Sequence, residues 1–146
     1  TQGLEALRLS THVLVTIAPM RGEGGGDGVL RWHRNDFAQL ARLQWLGYLS
    51  STGVYGDFQG GWVTEEDAPV PNTPVGRARL ADEQEWSSAF DPPLPLHIFR
   101  LAGIYGPGRS ALDTLAKHGY DLSASGVSAD DASYISRVHV DDISLV

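Results

Sequence analysis

Between positions 48 and 57 the chain passes from an apolar run into Ser50-Ser51-Thr52-Gly53-Val54-Tyr55-Gly56, three consecutive hydroxyls followed by a glycine-bearing turn. Hydroxyls at the end of an apolar strand can orient a ligand, because open α/β sheets bind ligands in the crevice outside the carboxyl ends of their strands. The same hydroxyls can instead cap the turn that follows them. Other groups with chemical potential are more scattered. Tyr105 and Arg109 have Tyr-x-x-x-Arg spacing, but they flank a glycine-proline loop where helical spacing has no geometric meaning. Arg137 and His139 precede Asp141 and Asp142, two carboxylates suited to the first turn of a helix. Adjacent helix positions do not face one another, which argues against an acid/base pair there.

Composition removes several function classes. There is no cysteine, so disulfides, thiolate catalysis and cysteine-based zinc sites are excluded. The five histidines, at 12, 33, 97, 118 and 139, show no close metal-ligand spacing, so no metal site is assigned. A formal net charge of −7 opposes binding to a nucleic-acid backbone, which needs clustered lysine and arginine. No apolar run approaches the roughly 20 residues that span a bilayer. No membrane or nucleic-acid partner is expected, and a soluble protein of the cytoplasm or an organelle stroma is the expectation, with the compartment unreadable.

The elements that must hold the hydroxyl turn read as a parallel sheet. His12 to Ala18, Trp45 to Leu49 and Leu96 to Ala102 are Val/Ile/Leu-rich runs without polar alternation, each followed by turn residues, as in strands covered on both faces by helices. Residues 19–34 read as a glycine-rich loop insertion with no helix start directly after its glycines. Asn35 or Asp36 then caps a short helix through Phe37, Leu40 and Ala41. Asp57 to Pro74 is a polar connection broken by Gly60-Gly61 and three prolines. A helix follows over Gly76 to Phe90, stopped by Asp91-Pro92-Pro93. Trp62, Trp86 and Phe90 are expected in packing roles. Residues 118–136, rich in Ser and Asp, read as a polar loop insertion.

The order of these motifs resembles the extended short-chain dehydrogenase/reductase superfamily, in its sugar-nucleotide epimerase and dehydratase group. Four segments carry the resemblance: His12 to Pro19, Ser50 to Gly56, Arg100-Leu101-Ala102-Gly103-Ile104-Tyr105-Gly106-Pro107-Gly108, and Arg137-Val138-His139-Val140-Asp141-Asp142. The resemblance implies an α/β fold, an incomplete doubly wound parallel sheet of Rossmann type from strand four onward, with helices on both faces. It implies a cofactor, NAD or NADP, contacted by Ile17, Ala18, Pro19, Ser50, Arg79, Leu101, Ala102 and Gly103. Ser51 and Thr52 fall on the catalytic hydroxyl turn, with Ser51 orienting a substrate oxygen. Tyr105, Arg109 and Arg137 fall on substrate-binding positions. A small-molecule substrate carrying a hydroxyl or keto group is implied, as is a homodimer through the helix at 76–90.

The chain departs from that family in two places. The tyrosine-lysine pair that moves protons and holds the nicotinamide ribose aligns with Val75 and Arg79. Valine moves no proton, and arginine keeps its charge, so Arg79 can hold a ribose or phosphate without serving as a base. The bland reading of Arg79 is an exposed ion pair with Glu83 one turn later. This pattern is similar to the atypical branch of the superfamily, whose members keep the nucleotide fold; a catalytically silent sensor or partner-binding module is the alternative function. No Gly-x-Gly-x-x-Gly occurs, so one wall of the cofactor crevice is expected without the other, and NAD and NADP stand equal. The strand at His12 is then expected to present an unpaired apolar edge.

Overall fold

The computed structural model describes residues 2–20, 26–110, 113, 116 and 135–145. They form two units, Thr1–Leu101 and Ala102–Val146. The first unit opens with helix α1 (Gln2–Leu9) and strand β1 (His12–Val15). Helix α2 (Gly28–Phe37) leads to β2 (Trp45–Ser51), and helix α3 (Pro74–Ser88) leads to β3 (Leu96–Leu101). The three strands pair in parallel in the order β1-β2-β3, with Leu14 opposite Gly47 and Ser51 opposite Leu101.

Parallel neighbours require crossovers, and right-handed crossovers that step in one direction place their helices on one face. The core follows that rule: Val15, Leu46 and Tyr48 from one sheet face pack with Leu30 and Phe37 of α2, Trp86 of α3 and the partly buried Leu7 of α1. The expectation of helices on both faces is therefore met on only one face among the described residues of this unit. The other face carries a row of rings: Trp45 stacks with His12 at 6.3 Å and with His97 at 5.9 Å. Gly47 makes that row possible, because a Cβ there would collide with the Trp45 indole. β1 ends the sheet among the described residues, with Leu14 and Ile17 exposed beside it, as the unpaired-edge reading anticipates.

Four expectations need correction. Within the expected 19–34 loop a helix begins at Gly28, directly after the glycines, because Asp27 is a strong N-cap that accepts from the Val29 and Leu30 N–H groups at 2.8 Å each. The helix expected from Asn35 onward instead ends at Phe37, and Asp36 pairs with His33 at 2.9 Å. Trp62 is not a packing residue; it is 98% exposed. The helix expected over Gly76 to Phe90 begins two residues earlier, since Thr73 accepts from the Gly76 N–H and Pro74 suits the first helical position.

The second unit contains β4 (Gly103–Tyr105), paired in parallel with β5 (Arg137–His139), and the short helix α4 (Val140–Ser144). Asp141 and Asp142 occupy its first turn, as expected, and His139 is its N-cap. Of the expected 118–136 insertion, all but Ile135 and Ser136 lies outside the described residues.

A buried contact joins the N-cap of α2 to α3: Trp86 Nε1 donates to Asp27 Oδ2 at 2.9 Å. Trp86→Phe keeps a ring against Phe37 and Tyr48 but removes the donor from a buried carboxylate. We expect a loss of about 1–3 kcal/mol, read by urea denaturation; an unchanged midpoint would show that the bond is not structural.

Candidate functional site

The carboxyl ends of β1, β2 and β3 carry the candidate groups of the first unit. Ser51 closes β2 in an extended conformation and caps a single 3-10 turn, Thr52–Val54. Its Oγ accepts the Gly53 N–H at 3.1 Å. The capping and ligand-orienting readings are therefore compatible, because a hydroxyl that accepts a backbone bond still has its own proton to donate. The N-terminus of α3 closes on this turn. Gly76 permits it, since a Cβ there would collide with Gly53 O.

Val75 and Arg79, one helical turn apart on α3, diverge in environment. Val75 is 61% exposed. Arg79 turns inward: Nη1 donates to Tyr48 Oη and to Leu49 O, each at 3.2 Å. The ion pair with Glu83 anticipated as its bland role is not formed. Glu83 is buried and holds Arg100 of β3, whose Nη2 lies 2.8 Å from Glu83 Oε2 and whose Nη1 donates to Tyr55 Oη at 2.9 Å. Those bonds to Glu83 secure the guanidinium in its charged form and push its pKa further up. Tyr55 Oη accepts from Arg100 and keeps its own proton to donate.

Beneath Arg79 lies a second buried polar group. The Tyr48 hydroxyl donates to Asp82 Oδ2 at 3.3 Å, and both residues are about 1% exposed or less. Burial, opposed by the Arg79 hydrogen bond and reinforced by Asp82, pushes the Tyr48 phenol well above the ordinary tyrosine range, so it is no general acid near neutrality. Burial, followed by the nearby Asp27 charge, raises Asp82 to about 6.

Ser50, on the opposite side of β2 from Ser51, faces the helices with Tyr48 and Arg100. Its Oγ is buried and has no hydrogen-bond partner. Ile17 and Ala18 follow β1 as exposed coil, and Pro19 is half-buried. Leu101 ends β3 opposite Ser51. Thr52 lines a cleft of about 520 Å³ with Tyr55, Thr64, Glu65, Phe99 and Arg100 among its walls. A cavity of about 580 Å³ lies at the other end of the strands, between the last residues of α2 and α3. The hydroxyl groups are not there.

Ala102, Gly103, Tyr105, Arg109 and Arg137 belong to the second unit. Gly103 faces Arg137 in register, and the arginine side chain lies across the glycine, 3.0 Å from where a Cβ would stand. Tyr105 meets the His139 ring edge-on at 5.0 Å. Arg109 is placed by a tight turn in which Gly106 and Arg109 exchange backbone bonds and Gly108 takes φ +73°. Two residues that sequence reasoning did not select are Asp82 and Tyr48 in its buried role. The signal for them was helical spacing: Asp82 is three residues after Arg79, on the inward side of α3.

Among known proteins, no family model matches the chain. Protein YeeZ of Escherichia coli is 32% identical over 143 residues, 96% of this chain and 48% of that protein. A functionally unknown conserved protein from Silicibacter pomeroyi superposes with a TM-score of 0.74 at 41% identity, over 92% of this chain and 45% of that one. A protein assigned as a NAD-dependent epimerase/dehydratase from Methylobacillus flagellatus gives 0.57 at 30% identity, over 77% and 38%. The UDP-glucuronic acid 4-epimerase of Bacillus cereus, solved with NAD, gives 0.58 at 23% identity, over 70% and 35%, a likeness of fold. The chain thus has the fold of the NAD-dependent epimerase/dehydratase proteins of the short-chain dehydrogenase/reductase superfamily. It spans about half the length of the curated relatives it matches. No helix among the described residues is long and apolar enough to cross a membrane.

The raised Asp82 pKa has a defined consequence for stability. A carboxyl that is harder to ionise folded than unfolded stabilises the fold fully below its unfolded value, and that contribution is lost as pH rises through about 6. Asp82→Asn removes this titration. Urea midpoints of wild type and variant should converge above pH 7 or favour the variant, and diverge in favour of wild type toward pH 4. Parallel curves over that range would contradict the assignment.

Proposed function

We propose that this chain supplies one wall of an NAD(P)-binding crevice in a protein of the epimerase/dehydratase type that acts on a hydroxyl or keto carbon. The observation that carries the proposal is Ser51: its Oγ is fixed by the Gly53 N–H at the carboxyl end of β2, with its proton left to donate to a substrate oxygen. The residues present suit a bound dinucleotide. The buried Ser50 Oγ has no hydrogen-bond partner among the described residues, Ile17 and Ala18 are accessible after β1, and Arg79 brings positive charge to Leu49 O. Leu101 ends β3 opposite Ser51, and the family resemblance adds Ala102 and Gly103 of the second unit to the cofactor contacts. When bound, nicotinamide accepts or returns the hydride.

The chain's own residues then divide the remaining work. Ser51 orients the reacting oxygen, and Thr52 borders the cleft beside it. Tyr105, Arg109 and Arg137 serve the substrate. Neither Val75 nor Arg79 transfers a proton, so a substrate proton must leave through Ser51 to water or through another group. The exposed face of α3, with Arg77, Ala81, Gln84 and Ser88, would meet its counterpart in a homodimer through the helix at 76–90. Ala81 and Ser88 on that face are small.

A second reading, favoured by Val75 and by the inward turn of Arg79, is a protein that binds the nucleotide without turnover. The two separate on Ser51→Ala, assayed for hydride transfer across hydroxy and keto substrates and, in parallel, for NADH and NADPH binding by fluorescence. The enzyme reading expects binding to persist while turnover falls about 10²–10³-fold, the usual loss on removing one such donor. Binding without turnover in the wild type would establish the second reading. Binding of neither cofactor would exclude both.

A further inference from the structure

We infer that Tyr48 and Asp82 are positioning residues for Arg79: the ionised Asp82 carboxylate, acting through the Tyr48 hydroxyl, holds the Arg79 guanidinium down on β2, and protonation of Asp82 releases it toward the crevice. The inference rests on the proposed cofactor role of Arg79 for its functional meaning, but its geometry is independent of that role.

The direction of the relay follows from donors and acceptors alone. Arginine has five N–H donors and no acceptor, so in the Arg79–Tyr48 contact the phenol oxygen must accept. The single phenol proton is then committed to Asp82 Oδ2. The chain runs in one sense, from guanidinium to phenol to carboxylate, and each donation polarises the next. All its links are long, at 3.2 Å and 3.3 Å, near the end of the hydrogen-bond range. Charge on the terminal acceptor therefore decides how firmly Arg79 is held.

The surroundings make that charge sensitive. Asp82 faces Tyr48 from β2 and Asp27 from the cap of α2, with Arg79 and Glu85 on its own helix. Glu85 is bound to Arg34 at 2.6 Å and Glu83 to Arg100, so neither neutralises the seam. With Asp82 ionised, the phenol donates to a charged acceptor; with Asp82 protonated, that acceptor is neutral and the pull on the phenol weakens. Among the described residues Nη1 then keeps one other anchor, the neutral carbonyl Leu49 O. The raised pKa of Asp82, about 6, puts this change close to the physiological range.

The test reads Arg79 directly. In ¹⁵N-labelled protein, the Arg79 Nε–Hε resonance should move with pH about a midpoint near 6 and stay fixed in Asp82→Asn. Tyr48→Phe, which removes the oxygen through which the two groups communicate, provides a second variant and should also abolish the titration. NADH affinity, measured by fluorescence on the same samples, should change about five-fold or more between pH 7.5 and pH 5.5 in wild type, a modest coupling for linked sites, and stay flat in both variants. An Arg79 resonance that ignores pH, or titrates equally in both variants, overturns the relay. A resonance that titrates as expected with no NADH binding at any pH supports the relay and overturns the cofactor reading.

Discussion

The fold of the first unit turns on a polar seam pressed between α3 and the sheet, and the bond from Trp86 Nε1 to Asp27 Oδ2 is its keystone. Asp27 has two duties that cannot be separated. One oxygen satisfies the first N–H groups of α2, and the other receives the indole of α3. A helix start in this position is a natural anion site. Here the protein's own carboxylate occupies it. Burying a carboxylate is tolerable only when its lone pairs are used, and Asp27 meets that condition with three donors.

The same seam reaches the candidate site. α3 contributes three buried acidic or aromatic groups within five residues, Asp82, Glu83 and Trp86, each with a partner on another element. These contacts fix the rotation of α3 about its axis and, with Gly76 against Gly53, its height above the Ser51 turn. Arg79 is thereby placed over the end of β2. α3 is anchored mainly by polar and charged contacts, which ties the position of Arg79 to ionisation in the core.

Much of this was legible in the sequence. The three strands stood out because continuous Val/Ile/Leu runs leave little else to be, and α3 was signalled by its Asp91-Pro92-Pro93 stop, with its start placed two residues late because Pro74 was read as part of the preceding connection. The turn at Ser51 was legible because glycine and hydroxyl residues follow an apolar strand. Helix α2 was misplaced because its cap is embedded among glycines, where composition suggests flexibility and a single well-placed carboxylate decides otherwise. Partners of Arg79 were hidden for a different reason. Tyr48 lies 31 residues away, and spacing within one helix gives only the local candidate, Glu83. Glu83 itself was claimed by Arg100, 17 residues on. Trp62 shows the limit of reading aromatic residues as core, since its neighbours Gly60 and Gly61 give it no element to pack with.

The central proposal is that the carboxyl ends of β1 and β2 form a cofactor wall from Ile17, Ser50 and Arg79, beside the substrate-orienting Ser51. Amide and arginine side-chain chemical-shift mapping during NADH titration tests it most directly. The account predicts saturable shifts at those four residues, with the far cavity between α2 and α3 unmoved. Saturable shifts confined to that far cavity, or none at Ser50 and Arg79 while NADH binds, would contradict it.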